Sequence, residues 1–428
     1  MPAGVPDTIF ALSSGAPPAA IAIIRISGPH ARSVAEAFDV RLPPPRQARL
    51  GRLKDPRDGG TLDQALLLWF PGPRSATGED LLELHLHGGR AVVAAVQGAL
   101  SGLAALRMAE PGEFTRRAML NGRLDLAEAE GLADLLSADT EAQRRNAIRI
   151  AEGGLSRVID GWRRRVLEHA AIVEAMIDYD EEIGDDLDLA PVLTQVAADA
   201  TELRRLLASP PAERLREGFR VVLAGPPNAG KSSLINALAA RDAAIVSPIA
   251  GTTRDRIEMA LSIDGVPILL TDTAGLRPDS GDEIESIGIE RAQQAIDQAD
   301  VVIWLGEPAG IADRPGLIRV ASKADIHPAT DERIAVSVVT GEGLLRLRRE
   351  IVALTSQGPS DDAIALNLRQ RARLEEAIQA MEAAAAEADI LLVAEMLRQA
   401  RLAFDALTGA AGIEEMLDNL FGRFCLGK

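Results

Sequence analysis

The chain is poor in several features that would place it in large classes of proteins. Its 428 residues include a single cysteine, so an intramolecular disulfide is excluded and a reducing compartment is expected. No uncharged apolar run reaches the length of a membrane span, and residues 1–6 lack the basic region and apolar core of a signal peptide. We therefore expect a cytoplasmic protein that does not enter a membrane.

Basic charge and aromatic side chains are also scarce. The formal net charge of −17 argues against a protein that coats nucleic acid, although a local basic patch is still allowed. Aromatic residues make up 3% of the chain, so Leu, Ile, Val and Ala must fill its cores, and a hydrophobic content of 47% is enough for that. The length predicts about three domains.

The most informative stretch present is Gly225-Pro-Pro-Asn-Ala-Gly-Lys-Ser232, which fits the phosphate-loop pattern G-x-x-x-x-G-K-[ST]. A predicted strand, 219–224, precedes it and a predicted helix, 233–240, follows it, which argues against a chance match. Backbone N–H groups of such a loop wrap the β-phosphate, Lys231 faces the β and γ oxygens, and Ser232 ligates Mg²⁺. The chain is therefore predicted to bind a nucleoside triphosphate.

Two later motifs are placed to contact Mg²⁺ and the γ-phosphate. Thr253, in a predicted loop between helix and strand, can close on both. A predicted strand, 266–271, ends in Asp272-Thr-Ala-Gly275. Asp272 would supply a carboxylate behind the Mg²⁺, and Gly275 an N–H that senses the γ-phosphate.

Two further motifs address the base. A predicted strand over 317–321 ends in Ser322-Lys-Ala-Asp325. Asp325 can accept hydrogen bonds from both N1–H and N2–H of guanine, a pairing that adenine does not offer. Lys323 can lie along the plane of the base. The loop 337–343 could present N–H groups to guanine O6. This order of motifs predicts guanine specificity and disfavours a P-loop ATPase. Ser322 stands where Asn is usual, so its contacts to the base and the phosphate loop are expected to be lost or weakened.

Two positions distinguish this predicted GTPase from many others. Leu276 follows the Asp272 motif where a Gln often orients the attacking water, and Leu cannot do so. The phosphate loop carries Asn228, and the stretch 246–253 is long enough to fold over the nucleotide. Another group must then position the water.

In these motifs the chain resembles the tRNA-modification GTPase family MnmE, also called TrmE. Outside the phosphate-binding region the resemblance rests on residues 7–11, 23–28, 77–84, 87–89, 111–118, 121–126 and the ending Phe424-Cys-Leu-Gly-Lys428. The ending is the sharpest single marker because it combines a rare residue with a fixed place at the chain end.

The predicted fold is a multidomain α/β protein. Residues 1–120 mix predicted strands with a helix over 91–106, and the resemblance implies that this α+β domain binds tetrahydrofolate and dimerises. Residues 121–215 and 357–428 have helical periodicity, and we expect them to form one discontinuous all-α domain because each segment can cover the apolar stripe of the other. A Ras-like P-loop GTPase domain, 216–356, would be inserted between them.

The resemblance also implies a set of site residues. The GTP-binding set is Asn228, Ala229, Gly230, Lys231, Ser232, Ser233, Ser247, Pro248, Ile249, Ala250, Gly251, Thr252, Thr253, Asp272, Thr273, Ala274, Gly275, Ser322, Lys323, Ala324, Asp325, Ser337, Val338 and Val339. Within it, Mg²⁺ would be held by Ser232 and Thr253, and K⁺ by Asn228, Ser247, Ile249 and Thr252. Glu285 and Cys425 are the implied catalytic residues, and Arg25, Glu83, Arg123 and Lys428 the implied folate-binding ones.

Each of these assignments has a plainer alternative. Asn228 could be an ordinary turn residue, Glu285 a solvated acid next to Asp282 and Glu283, and Cys425 a small buried side chain. Arg25 could be a surface charge at a strand end. His85 and His87 share a strand face, but no third metal ligand is near them in the sequence.

The resemblance implies a K⁺- and Mg²⁺-dependent GTPase that acts in tRNA modification. It would form a homodimer and a heterotetramer with the flavoprotein MnmG, which would carry FAD and NADH. Together they would add a carboxymethylaminomethyl or aminomethyl group to C5 of wobble uridine-34, using 5-formyl- or 5,10-methylene-tetrahydrofolate. The alternative is a ribosome-assembly or signalling GTPase that binds RNA without modifying it.

Overall fold

The computed structural model describes residues 7–183, 188–207, 212–240, 258–272, 292–307, 311–327, 332–355, 364–409 and 427. The chain divides into two compact units, residues 1–133 with 405–428, and residues 134–404. The finer division predicted from the sequence, with boundaries at 121, 216 and 357, stays a prediction. Within the described ranges, no helix is long and apolar enough to cross a membrane.

The first unit is built on a six-stranded sheet. Its elements are β1 (Thr8–Leu12), β2 (Ile21–Ser27), α1 (Ser33–Ala37), β3 (Arg49–Lys54), β4 (Thr61–Phe70), β5 (Leu81–His87), α2 (Arg90–Ser101), β6 (Leu106–Met108) and α3 (Glu113–Leu120). The strand order is β3-β4-β5-β2-β1-β6. Neighbouring strands are antiparallel except β1 and β6, which are parallel.

The two faces of this sheet differ because successive strand residues point to opposite sides. One face buries Phe10, Ile24 and Leu84 against α2, in the main core of the unit. The other face carries the alternate residues, among them Arg25 and Glu83. An apolar cluster that includes Ile9 and Phe114 covers only part of this second face, so polar side chains occupy the rest.

The helix predicted over 91–106 is too long at its C-terminus. Helix α2 ends at Ser101, with Gly102 as its C-cap, and residues 106–108 form strand β6. Leu106 lies opposite Thr8 of β1 in a parallel pair. The segment is therefore drawn into the sheet by a partner strand about a hundred residues away in sequence, which local periodicity does not reveal.

The helices of the second unit lie before, within and after the nucleotide-binding segment of the chain. They are α4 (Leu126–Leu136, which begins in the first unit), α5 (Glu141–Ala151), α6 (Gly154–Ile183), α7 (Ala190–Leu207), α8 (Ala212–Glu217), α9 (Lys231–Ala239), α10 (292–298), α11 (Leu344–Thr355), α12 (Leu368–Ala386) and α13 (Ile390–Thr408). Helices α7 and α12 pack together, with Arg204 Nη2 lying 2.7 Å from Glu382 Oε2 and Arg371 donating to the Leu207 carbonyl at 2.8 Å. The predicted discontinuous helical domain is confirmed.

Within the predicted helical segment 357–428, the structure describes two helices, α12 and α13. Residues 387–389 separate α12 from α13. Glu387 Oε1 accepts the backbone N–H groups of Ala388 and Asp389, at 2.8 and 3.0 Å, and Asp389 Oδ1 accepts that of Leu391 at 2.9 Å. These side chains satisfy N–H groups at the start of α13 and so favour a new helix start over continuation.

The inserted P-loop GTPase domain contains the second sheet, formed by β7 (Phe219–Ala224), β8 (Glu258–Ile263), β9 (Val266–Asp272), β10 (Val301–Trp304), β11 (Leu317–Ser322) and β12 (Ile334–Val336). Their order is β12-β11-β10-β7-β9-β8. All pairs are parallel except the β8–β9 hairpin. Both faces are buried, as expected of a largely parallel sheet covered by helices.

Candidate functional site: the nucleotide loops and the polar sheet face

Four of the predicted nucleotide motifs follow or end strands of the second sheet. The phosphate loop follows β7, Asp272 ends β9, Ser322 ends β11, and the loop from Ser337 follows β12. These strands are parallel, so their carboxyl ends meet at one edge of the sheet. Strand β7 lies between β9 and β10, where the strand order reverses, and such a switch point is where open α/β sheets bind ligands.

The phosphate loop ends at a helix N-terminus that carries no side-chain cap. Gly230 is the N-cap of α9 and has φ +92, in the left-handed region that Gly adopts without strain. Helix α9 begins at Lys231, two residues before the predicted start. The N–H groups of its first turn have no partner within the helix and are suited to an anion.

Lys231 and Ser232 form the first turn of α9, directly after the phosphate loop. Lys231 is 6% exposed, and its Nζ donates to the carbonyls of Gly225 and Pro226, both at 2.9 Å. Ser232 Oγ donates to Oδ2 of the buried Asp272 at 2.9 Å. A hydroxyl beside a carboxylate fits Mg²⁺, which takes few protein ligands and completes its shell with water and phosphate oxygens.

The loop Ser322–Asp325, called the base loop below, is linked to the phosphate loop by two hydrogen bonds. Ser322 Oγ donates to the Ala229 carbonyl at 2.7 Å, and Lys323 Nζ donates to the Asn228 carbonyl at 3.1 Å. The contact to the phosphate loop is therefore not lost, because the end of β11 lies close enough for a hydroxyl to reach; that it is weaker than the contact of an Asn stays a prediction. Asp325 is exposed two residues further on.

The last loop is shaped by one buried hydroxyl. Ser337 is fully buried, and its Oγ accepts the N–H groups of Val339 at 3.3 Å and Thr340 at 3.2 Å. The backbone N–H of Ala324 donates to the Val336 carbonyl at 3.1 Å and so links this loop to the base loop. Val338 and Val339 are exposed on the same loop.

Several predicted site residues lie outside the described residues. They are Ser247, Pro248, Ile249, Ala250, Gly251, Thr252, Thr253, Thr273, Ala274, Gly275, Glu285, Cys425 and Lys428. Of the predicted K⁺ ligands, Asn228 is described, with φ +62 in the left-handed region. The roles of all these residues stay predictions.

In the first unit, Arg25 and Glu83 lie directly opposite each other on β2 and β5. Arg25 Nε donates to Glu83 Oε1 at 2.8 Å, and His85 Nε2 lies 3.2 Å from Glu83 Oε2. The hydrogen bond with His85 and that with Arg25 outweigh burial and lower the pKa of Glu83, so its side chain is a carboxylate. Arg25 is inside β2 and not at its end, so the alternative of a strand-end surface charge is wrong.

Arg123 lies beside the turn before β5. A Cβ atom on Gly78 would lie 3.2 Å from Arg123 Cγ, so the stem of the Arg123 side chain is close to this turn. The neighbouring Thr77 hydroxyl lies 2.7 Å from that of Ser27, which is two residues along β2 from Arg25 and on the same face. The structure thus brings Arg123 to the turn that borders the Arg25–Glu83 pair.

The chain end also reaches this sheet. Ser13 Oγ donates to the Gly427 carbonyl at 2.7 Å, and the Ser13 N–H donates to the Ile23 carbonyl at 2.7 Å. Gly427 has φ +95, and a Cβ atom there would lie 2.1 Å from the Leu12 carbonyl oxygen. Only Gly fits, which gives the Gly of the terminal motif a physical reason. The role of Ser13 was missed, since nothing around it in sequence marks a contact with the chain end.

The two histidines of β5 have different partners. His87 Nδ1 lies 2.7 Å from Asp63 Oδ1, whereas His85 is bound to Glu83. In the part of the chain that the structure describes, no group of His, Cys, Asp and Glu residues could hold a metal ion. The contact between His85 and Glu83 was missed, although their spacing of two along a strand already placed them on one face.

Comparison with known proteins gives full-length matches. The family described as the MnmE helical domain matches residues 126–425, and that of the GTP-binding protein TrmE N-terminus matches residues 8–123. The tRNA modification GTPase MnmE of Novosphingobium aromaticivorans is 54% identical over 437 residues, covering 99% of this chain and 100% of that protein. The protein of the same name from Rhizorhabdus wittichii is 53% identical, covering 100% and 98%.

Among solved structures, the G domain of the T. maritima FeoB iron transporter is 26% identical. The match covers 32% of this chain and 98% of that one, with a TM-score of 0.23. The nucleotide site is therefore assigned from the sheet order and the loop contacts described above, and not from this structural match.

Proposed function

Because the chain belongs to the MnmE family of tRNA modification GTPases, we propose that it couples GTP hydrolysis to modification of wobble uridine-34 in certain tRNAs. The observation that carries the proposal is the presence in one chain of two separate sites. One is the phosphate loop with Lys231, and the other is the buried Glu83 carboxylate paired with Arg25. A GTPase that only bound RNA would have no use for the second.

The chain is a GTP hydrolase, and the geometry suggests how its residues act. The N–H groups at the start of α9 bind phosphate oxygens, and Lys231 neutralises charge that develops on them as the bond to the γ-phosphate breaks. Ser232 and Thr253 would hold Mg²⁺, with the Asp272 carboxylate behind it, and the ion would supply further charge neutralisation when bound. Glu285 is proposed to orient the attacking water, since Leu276 cannot.

We also propose that hydrolysis requires K⁺. Asn228 would provide a side-chain oxygen ligand, and Ser247, Ile249 and Thr252 would complete the site from the loop over the nucleotide. The ion would add positive charge near the β- and γ-phosphates, the contribution that an arginine finger makes in other GTPases. Support comes from Asn228 in the phosphate loop together with the absence of a Gln at position 276.

The polar face of the first unit is proposed to bind 5-formyl- or 5,10-methylene-tetrahydrofolate. A carboxylate such as Glu83 can accept the adjacent N–H donors of an aminopyrimidine ring, and cations can bind the glutamate tail. Arg25 and Arg123 lie beside Glu83 and the neighbouring turn, and the docked Gly427 leads directly to Lys428. The folate one-carbon unit would become part of the group added at uridine C5, a carboxymethylaminomethyl or aminomethyl group.

The proposed assembly is a homodimer of this chain that forms a heterotetramer with the flavoprotein MnmG. FAD and NADH would be bound by that partner. The division of labour is proposed because the chain belongs to the MnmE family, for which the resemblance implies such a flavoprotein partner.

The decisive experiment is mass spectrometry of tRNA wobble nucleosides from cells that lack this protein. Wild-type protein should restore the modified uridine, whereas Lys231→Ala and Glu83→Gln should each fail to restore it. Arg52→Ala, an exposed substitution on β3, serves as the matched control and should restore it fully. If the modified nucleoside persists without the protein, the alternative of a GTPase that binds RNA without modifying it is favoured.

A further inference from the structure

The carboxylate of Glu83 is held from two sides. Arg25 Nε occupies Oε1 at 2.8 Å, and His85 Nε2 lies 3.2 Å from Oε2. The Glu83 side chain is 12% exposed, that of His85 is 22% exposed and that of Arg25 is 32% exposed. Both contacts come from residues on the same sheet face, one across the β2–β5 pair and one two positions along β5.

This arrangement defines the plane of the carboxylate. Each carboxylate oxygen can accept two hydrogen bonds, so one contact to each oxygen leaves one acceptor position on each. With both oxygens tethered, the side chain cannot rotate about its last bond without breaking a contact. The two remaining acceptor positions are then fixed in one plane, as a pair of adjacent coplanar N–H donors requires.

We propose that His85 is a positioning residue of the folate site, which holds Glu83 in the orientation that accepts the paired N–H donors of the pterin ring. This inference rests on the proposed folate function. In this role Nε2 of His85 carries the proton and donates to Glu83, and the ring itself need not touch the folate. Arg25 alone would tether one oxygen and leave the carboxylate free to turn about that contact.

The surroundings of His85 leave Glu83 as its ionic partner. On β2 the residue opposite His85 is Ile23, and on β4 it is Leu66, so neither neighbour competes for the ring nitrogen. Two nearby acids have partners of their own: Asp63 contacts His87, and Glu79 accepts a hydrogen bond from Ser27 Oγ and pairs with Arg117. His87 therefore provides a matched control: the same residue type on the same strand and face, bound to a different carboxylate.

The test is calorimetric titration of the full-length chain with 5-formyl-tetrahydrofolate. His85→Ala should weaken binding about tenfold, the effect of losing one hydrogen bond to a charged group. His85→Gln, which keeps an N–H donor of similar reach, should stay within about threefold of wild type. His87→Ala should bind as wild type does, and all three variants should bind GDP with unchanged affinity.

The titrations distinguish a failure of the role given to His85 from a failure of the proposed folate function. Wild-type affinity in His85→Ala would overturn the inference, as would His85→Gln binding as weakly as His85→Ala. If His85→Ala does not fold, the His85→Gln result alone decides. Absence of folate binding by the wild-type chain would instead remove the proposed folate function, and the role of His85 with it.

Discussion

The two sheets of this chain build their sites in opposite ways. At the edge of the second sheet, ligand contacts are offered by backbone N–H groups of a glycine-containing loop and by a helix start, with few side chains. On the face of the first sheet, the candidate site is a set of side chains held across strands, Arg25, Glu83 and His85. The nucleotide site depends on the backbone geometry of its loop and tolerates substitutions outside that loop. The site on the first sheet depends on the register of its strands.

Because the two sites are built differently, different substitutions impair them. A loop that binds through its backbone is impaired by loss of the few side chains that add charge, such as Lys231. A face built from paired charges is impaired when either partner is removed, because the remaining buried charge is left uncompensated. Substitutions in one sheet should therefore leave the other site intact, and the predictions below test that separation.

The largest effect is expected for Lys231→Ala. Removing this buried cation should lower the rate of GTP hydrolysis on the order of a thousandfold, since one preorganised charge-stabilising donor typically accounts for that much. Folate binding, measured by calorimetry on the same preparation, should be unchanged. A parallel loss of folate affinity would contradict the independence of the two sites.

Glu285→Ala should lower kcat about a hundredfold while GTP affinity stays nearly constant, because a water-orienting group acts in the transition state and not in ground-state binding. Steady-state hydrolysis and nucleotide titration measure the two quantities. Glu283→Ala is the matched control and should hydrolyse GTP normally. A collapse of affinity in Glu285→Ala would make Glu285 a structural residue.

Replacing K⁺ by Na⁺ should slow hydrolysis roughly thirtyfold in the wild-type chain, well below the full effect of an arginine finger. Asn228→Ala should be slow in both salts, so the difference between them disappears. Hydrolysis assays at constant ionic strength check this. Equal wild-type rates in the two salts would exclude a potassium ion from the mechanism.

Arg25→Ala tests the other sheet. Loss of its contacts should weaken 5-formyl-tetrahydrofolate binding by roughly ten- to a hundredfold, as for a charge-assisted hydrogen bond. Nucleotide affinity and hydrolysis should be those of the wild type. Arg52→Ala, exposed on β3, is the control and should bind folate normally.

The smallest effect is expected for Ser322→Ala. It removes the hydrogen bond to the Ala229 carbonyl, and a neutral bond of this kind contributes about 1 kcal/mol, so GDP should bind about fivefold more weakly. Ser322→Asn should bind at least as well as wild type. If Ser322→Ala leaves GDP affinity unchanged, the contact has no part in ordering the phosphate loop.

Much of the nucleotide site could be predicted because its motifs are local. The phosphate loop, the strand before it and the helix after it are adjacent in sequence, and the structure has that strand, loop and helix, with Ser232 contacting Asp272 at the end of β9. The length of α2 and the break between α12 and α13 could not be predicted. Leu106 is drawn into a strand by Thr8, and Glu387 starts a new helix by capping N–H groups within an otherwise helical composition.

The sequence by itself determined the fold class, the nucleotide loops and the family. Hydrophobic periodicity and motif spacing are properties of neighbouring residues, and they can be recognised without knowing which distant segments pack against them. Tertiary structure alone decided which distant polar residues meet: Arg25 with Glu83, Ser322 with Ala229, and Gly427 with Ser13. Each of these contacts joins segments far apart in the chain and depends on strand register or on the docking of a distant segment, which local sequence does not encode.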